Sequence, residues 1–242
     1  MPEAYKRRVS YTVEKAEAFD AWLGGLTDRI AKKAILDRII RIETGLLGDR
    51  GSVGDRVSEL RVDVGQGYRL YFTMRARTIV LLLCGGSKKS QKSDIRKAKA
   101  MAKARNKDEN ESSASRLSDR QSAYAAQGDE ADQGEEFSFT EDDLRISRFD
   151  AADYMRGDKE TQLYLLRNAF ADGHPAYIAN ALGAVARARG LSTLERDTGI
   201  RRQTLNKSLS PKGNPTLETL MTVLGALGLR LEVVEDRGDG AR

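Results

Sequence analysis

The sequence has few of the residues that form disulfides, hold metal ions or cross membranes. Its 242 residues include one cysteine, Cys84, and one histidine, His174, which are too few for an intramolecular disulfide or a structural zinc site. The longest uninterrupted apolar run covers six residues, 79–84, whereas a membrane-spanning helix needs about 20. The first residues are charged and lack a signal peptide's apolar middle. We therefore expect a cytoplasmic protein without a metal, a cofactor or membrane contact.

Charge is distributed unevenly along the chain. Residues 1–104 contain 22 Lys and Arg against 12 Asp and Glu, a net charge of +10. Residues 105–143 contain 4 against 12, a net of −8, and residues 144–242 contain 15 against 12, a net of +3. A segment as acidic and as poor in apolar residues as 105–143 cannot bury enough surface to fold, which predicts a flexible linker between two domains. The basic first domain points to nucleic acid as a partner.

The periodicity of residues 1–104 predicts an α+β domain. Residues 16–44 have helical apolar spacing, and from residue 57 the period changes to two, as in strands. The run 79–84 is apolar on both parities, which predicts a central strand covered on both faces. A basic helix from about 90 to 104 ends the domain, and residues 105–143 follow as the linker.

Cations recur on one parity of the predicted hairpin. Arg61, Arg69 and Tyr71 fall on the side opposite the apolar residues, where they could contact phosphates and bases. The alternative is an ordinary solvated sheet face, with Arg61 paired to Glu59 or Asp63. The segment GGSKKSQ after the central strand adds lysines beside two glycines, so backbone amides and ammonium groups could both face an anion.

Three motifs carry a family resemblance. The segments RIIRIETG, VSELRVDVGQGYRLYF and LLLCGGSKKSQKSDI occur in the order and spacing of the HigB-like branch of the RelE/ParE toxin superfamily. Residues 1–104 resemble this branch, which implies a small antiparallel sheet flanked by helices and cleavage of mRNA, often on the ribosome. The positions that match the family motifs include Arg61, Arg69, Tyr71, Lys88 and Gln91, and Lys89 is adjacent.

Cleavage by this domain would need no histidine, because residues 1–104 contain none. Guanidinium groups stay charged and bind phosphate bidentately, so Arg61 and Arg69 are the expected phosphate ligands. Lys88, with Lys89 as its substitute, would stabilise charge on the leaving group or the RNA backbone.

The remaining roles stay open in the sequence. Tyr71 or Tyr68 could orient a base by stacking, although Tyr68 has the parity of a core residue. The proton acceptor could be Glu59, Tyr71 or a lysine. A weak base is sufficient where positioning supplies most of the rate.

Residues 144–242 are helical in pattern, and residues 191–209 have the spacing of a helix-turn-helix. Leu194, Ile200 and Leu205 would pack inward, with Gly199 in the turn. Glu195 stands where this motif usually has a small residue so that the two helices can approach, and a larger side chain there would weaken or abolish DNA binding. Five residues would then be exposed for reading bases in the major groove: Arg201, Arg202, Gln203, Asn206 and Lys207.

Residues 146–234 resemble the HigA-like antidote family, most specifically in SLSPKGNPTLETLMTVLGALGL. The two resemblances imply a toxin and its antidote fused in one chain. The expected partners are mRNA and the ribosome for the first domain and operator DNA for the second. The second domain is expected to contact the first and hold it inactive, within one chain or in a homodimer.

Two classes of alternative stay open. The first domain could inhibit a topoisomerase, as ParE-like relatives do, or bind RNA without cutting it. Alternatively, the chain could be a DNA-binding regulator whose first domain has decayed.

Overall fold

The contacts within the chain divide it into two compact units. A computed structural model describes residues 10–117 and 140–233. One unit ends at Tyr154 and the other begins at Met155. The sequence predicted that the distal domain begins at residue 144. In the structure, residues 144–154 belong to the N-terminal unit instead.

The N-terminal unit is a six-stranded sheet with helices on both faces. The strands lie in the order β2-β3-β4-β5-β1-β6. β1 runs parallel to β5, and the other neighbouring pairs are antiparallel. The sheet is therefore mixed rather than antiparallel throughout. The strands are β1 (Thr12–Ala16), β2 (Arg50–Gly54), β3 (Val57–Val62), β4 (Tyr68–Arg75), β5 (Ile79–Ser87) and β6 (Ile146–Arg148), and the helices are α1 (Glu17–Gly24), α2 (Arg29–Glu43) and α3 (Gln91–Leu117).

The sheet carries a core on each face. Leu81 and Leu83 of β5 pack with Ala98 and Met101 of α3 in one core. Val80 and Leu82, of the opposite parity, are also fully buried. The prediction that the run 79–84 is covered on both faces is confirmed. Because α3 lies on the parity that was expected to be solvated, the polar residues there are partly enclosed.

Helix α3 is longer than the sequence predicted. It continues through Leu117 and so includes residues 105–117 of the predicted linker. Residues 118–139 of that linker lie outside the described part of the chain.

The second unit, in its described residues 155–233, consists of helices. Residues 229–233, the last of the described residues, form neither a helix nor a strand. Gly183 permits a close approach within this unit, because a Cβ there would collide with the backbone oxygen of Leu209. The helices are α4 (Lys159–Asp172), α5 (Pro175–Arg189), α6 (Leu191–Thr198), α7 (Arg202–Ser208) and α8 (Leu217–Ala226).

Candidate functional site

Two arginines meet a single buried carboxylate on the sheet face beneath the start of α3. Arg61 of β3 and Arg69 of β4 are opposite each other in the strand register. Glu59, two residues before Arg61, projects from the same face of β3. Its Oε1 accepts a hydrogen bond from Arg61 Nε at 3.0 Å, and its Oε2 lies 3.5 Å from Arg69 Nε. Glu59 thus joins the two guanidinium groups, and with Gln91 these residues form the arginine cluster.

The two arginines differ in their access to solvent. The Arg61 side chain is 42% exposed, whereas that of Arg69 is 11% exposed. The hydrogen bond that Arg61 donates to Glu59, together with the charge of Asp49, raises the pKa of Arg61 above its ordinary value. Arg69 Nε and Nη1 are buried without a hydrogen-bond partner among the described residues. The cluster therefore presents one accessible guanidinium beside one that is enclosed.

Gln91 and the two lysines lie where β5 passes into α3. Gln91 Nε2 donates a hydrogen bond to Glu59 Oε2 at 3.2 Å, so its role in the structure is to orient that carboxylate. Lys88 and Lys89 form the exposed part of a short 3-10 helix, Lys88–Ser90. The backbone N–H of Lys88 donates to the carbonyl of Gly67 at 2.9 Å, which ties this helix to the turn before β4.

Tyr71 does not occupy the position that the sequence predicted. It is fully buried in the core under α3, so it cannot stack on a base at the surface. Its hydroxyl has no hydrogen-bond partner within the described part of the chain. Burial first, and then the charges of Asp94 and Glu59, raise the pKa of Tyr71 above its ordinary value. Tyr71 is thus a neutral phenol beneath the cluster.

Gly85 and Gly86 serve close packing. A Cβ at Gly85 would collide with the indole of Trp22, and one at Gly86 would collide with the carboxylate of Asp94. This explains the glycine pair without the anion contact that the sequence suggested. Because Gly86 pairs with Arg69 in the sheet, Asp94 lies next to the arginine cluster.

Asp94 is a site residue that the sequence analysis missed. Its Oδ2 accepts a hydrogen bond from Ser90 Oγ at 2.6 Å. Burial raises the pKa of the Asp94 carboxyl, against the opposing effects of Ser90 and Lys97. One signal was available in the sequence, since Asp94 is the only acidic residue between positions 91 and 106.

Residues 140–154, which we call the strap, complete the opposite edge of the sheet. β6 pairs antiparallel with β1, placing Arg148 opposite Glu14 and Ile146 opposite Ala16. Phe149 follows β6 and is 2% exposed. The strap is separated from β4 by β5 and β1, so it lies away from the arginine cluster.

A polar contact anchors the end of the strap. Lys15 Nζ, on a side chain that is 8% exposed, lies 2.8 Å from Asp20 Oδ1 and donates to the Tyr154 hydroxyl at 2.9 Å. The Tyr154 hydroxyl also donates to Asp20. Its ring stacks on Phe149 with a centroid distance of 5.4 Å. No local pattern predicts this contact, since its two sides are more than 130 residues apart in the sequence.

The second unit has two short helices, α6 and α7, where the sequence predicted a helix-turn-helix. α6 and α7 are joined through Gly199, which adopts a left-handed conformation with φ of 72°. Leu194 and Leu205 are buried as predicted, and Ile200 is half-buried. All five predicted reading residues are exposed: Arg201, Arg202, Gln203, Asn206 and Lys207.

Glu195 does not separate the two helices. Its Oε1 accepts a hydrogen bond from the backbone N–H of Arg202 at 3.2 Å. This N–H is one of the free donors at the start of α7, so the carboxylate satisfies the helix end and suits its dipole. The expected clash with a bulky residue at this position is therefore not seen.

Comparison with known proteins bears on the second unit and the strap. The profile of a family described as "Probable addiction module antidote protein" matches residues 145–235. Residues 145–235 belong to this antidote family. Two uncharacterised proteins of Haemophilus influenzae are also similar, one 48% identical over 35% of this chain and 85% of its own, the other 41% identical over 38% and 95%. No solved structure matches the chain.

The antidote region begins inside the N-terminal unit. Its first ten residues, 145–154, include β6 and the anchor at Tyr154. Antidote residues thus complete the sheet that carries the arginine cluster. In residues 10–117 and 140–233, no cluster of three or more His, Cys, Asp or Glu could hold a metal ion, and none of the helices has the length and apolarity to span a bilayer.

Proposed function

We propose that this chain is a toxin fused to its antidote, in which the N-terminal unit cleaves RNA without a metal ion. The observation that carries the proposal is the strap: residues of an addiction module antidote form the edge strand of a unit that bears paired arginines. An antidote family implies a toxin partner, and the unit that it contacts is the natural candidate. The resemblance of residues 1–104 to HigB-like toxins supports mRNA as the substrate.

The arginine cluster is suited to an RNA phosphate. The two guanidinium groups share one buried carboxylate, Glu59, and the other carboxylate near Arg61, Asp49 at 3.6 Å, is 63% exposed, so Arg61 is accessible enough to turn toward a ligand. Charge-assisted hydrogen bonds from guanidinium to phosphate oxygens are among the strong ones in proteins. Arg61 would bind the scissile phosphate. The enclosed Arg69 would stabilise the negative charge of that phosphate electrostatically from below. The exposed ammonium groups of Lys88 and Lys89 would stabilise the leaving group.

The contacts narrow the choice of proton acceptor. Tyr71 is buried and its pKa is raised, which makes it a poor base. Glu59 is engaged by Arg61 and Gln91. Asp94 is half-buried beside Gly86. Its pKa is raised toward neutral pH, which makes its carboxylate a stronger base than an ordinary aspartate. We therefore assign proton acceptance to Asp94, and charge stabilisation to the arginines.

The strap would act as the inhibitor's attachment. Phe149 is buried in the N-terminal unit, and Tyr154 is held by Lys15 and Asp20. Because β6 lies at the far edge from the arginine cluster, the strap cannot plug the cluster. It would act by occupying a surface that a large partner such as the ribosome needs.

The test uses the full chain expressed in a bacterium. Phe149→Asp places a carboxylate in an apolar pocket and should release the strap, giving growth arrest and cleaved mRNA ends. Adding Arg69→Ala should restore growth and intact RNA. Phe149→Ala is a milder variant that should give a weaker effect.

One result would refute the proposed toxin activity. If both Phe149 variants remain folded by circular dichroism and neither slows growth nor yields cut RNA, the proposal is wrong. Growth arrest with intact RNA and altered DNA supercoiling would instead favour the topoisomerase alternative.

We also propose that α7 reads operator DNA. Exposed arginine, glutamine and asparagine side chains on the second helix of a helix-turn-helix are suited to guanine and adenine edges. A gel shift on the DNA upstream of the gene tests this. Gln203→Ala should weaken specific binding by about 1–3 kcal/mol, and equal binding to unrelated DNA would contradict it.

A further inference from the structure

Helix α3 carries a line of cations that the proposed chemistry does not use. Lys92, Arg96, Lys99 and Lys103 follow one another at steps of four, three and four, which places them on one side of the helix. We call them the basic stripe. At 1.5 Å per residue, the stripe spans about 16 Å. Between positions 91 and 106 the helix has six Lys and Arg against one acidic residue.

The stripe connects two features of the N-terminal unit. It begins one residue after Gln91, whose side chain contacts Glu59 in the arginine cluster. It ends at an open groove of about 510 Å³ between α3 and the turn that joins β2 to β3. The groove is lined by Asp55, Arg56, Lys99, Ala100, Lys103 and Asn106.

The groove keeps an excess of positive charge. It has three cations and one carboxylate, Asp55, which lies 3.1 Å from Lys99 Nζ. The Asp55 side chain is 67% exposed, and ion pairs as exposed as this contribute little. A polyanion could therefore replace Asp55 as the partner of Lys99. Arg56 and Lys103 are exposed on either side of it.

We propose that the basic stripe binds the sugar–phosphate backbone of single-stranded RNA and leads it to the arginine cluster. The inference rests on the proposed RNA substrate and adds a second binding surface to it. A row of cations on one helix face matches a ligand that repeats its charge along a line. Lysines suit this task because they bind phosphates as point charges without selecting a sequence. The row leads toward Arg61, the proposed ligand of the scissile phosphate.

The experiment measures the salt dependence of RNA binding by the full chain. All proteins carry Arg69→Ala so that the RNA stays intact. The probe is a mixed-sequence single-stranded RNA of about 12 nucleotides, and affinity is measured between about 50 and 200 mM salt. Each phosphate contact contributes about −0.7 to the slope of log K against log salt for single strands. Lys99→Ala with Lys103→Ala should therefore reduce the slope by about 1.4.

Two controls separate the stripe from charge in general. Lys159→Ala with Arg167→Ala removes the same charge from exposed positions on α4 and should leave the slope unchanged. Lys99→Arg with Lys103→Arg keeps the charge and should retain the original slope. Circular dichroism and thermal melting establish that each variant is folded.

Two results would overturn the inference. One is an unchanged slope after both lysines are replaced by alanine. The other is an equal loss of binding to poly-L-glutamate, which would make the stripe a surface for acidic polypeptides. Cleavage is scored separately in chains with Arg69 intact and Phe149→Asp. Stripe-dependent binding without cleavage would refute the ribonuclease and keep the inference, whereas cleavage without stripe dependence would do the reverse.

Discussion

The candidate sites of the two units hold their polar side chains in opposite ways. In the N-terminal unit, Glu59, Arg69 and Tyr71 are enclosed between the sheet and α3. In the second unit, the residues of α7 from Arg201 to Asn206 are exposed apart from the buried Leu205. Enclosed charges are held in one geometry, which suits chemistry on a phosphate. Exposed side chains on a helix can adjust to base edges, which suits the proposed recognition of DNA sequence.

The largest difference between the units should appear when a charged residue is removed. Glu59→Ala leaves Arg69 enclosed without its carboxylate, so we expect a loss of about 3 kcal/mol in the free energy of unfolding. Lys207→Ala removes an exposed charge from α7 as the matched control and should change it by less than about 0.5 kcal/mol. Urea unfolding monitored for each unit measures both. Equal losses of unfolding free energy in the two variants would contradict the difference between the enclosed and the exposed site.

Glycine substitutions should sharpen the comparison. An alanine at Gly183 would meet the backbone oxygen of Leu209, which cannot move without shifting α7. We expect a net loss of about 2 kcal/mol, since overpacking outweighs the better helix propensity of alanine. An alanine at Gly86 would meet the side chain of Asp94, which can rotate away. Thermal unfolding should show the smaller loss for Gly86→Ala, and a larger loss there would contradict the mobility of Asp94.

A smaller effect is expected at the start of α7. Glu195→Ala removes the acceptor of the Arg202 N–H and should cost about 1 kcal/mol. Glu195→Gln keeps an acceptor and should cost less. Denaturant unfolding compares the two variants. If alanine at this position stabilises the unit instead, the side chain hinders the helix pair as the sequence suggested.

The smallest effect concerns the pH dependence of stability. The pKa of Asp94 is raised in the folded state, so the folded protein binds its proton more tightly than the unfolded chain. The resulting stabilisation is present below the unfolded value of 3.8 and is lost as pH rises through the folded pKa. Asp94→Asn should remove this pH-dependent contribution. Unfolding free energies from pH 3 to 7 measure it, and identical pH profiles would contradict the raised pKa.

The sequence was informative where the signal is local. Strand parity identified Arg61 and Arg69 as neighbours on one face, because side chains alternate along paired strands. The spacing of residues 191–209 likewise predicted that Leu194 and Leu205 are buried. The helical period predicted the buried stripe of α2, including Ile35 and Ile39.

The errors arose where distant segments decide the structure. Tyr71 was predicted on a solvated face, but Ala98 and Met101 of α3 cover it. The close approach of Trp22 to Gly85 likewise depends on a segment that is distant in the sequence. A strand of three residues such as β6 has no periodic signal of its own. It forms because the edge of β1 supplies its hydrogen bonds.

The position of β6 in the chain has a consequence for the order of synthesis. A ribosome makes Gln91, the last residue of the arginine cluster, 63 residues before Tyr154. At about 5–20 residues per second, the arginine cluster is synthesised about 3–13 s before the end of the strap that completes the far edge of the sheet. Every nascent copy passes through this interval with the edge of β1 open. In the proposed toxin–antidote fusion, this interval would replace the search by diffusion that a separate antidote needs.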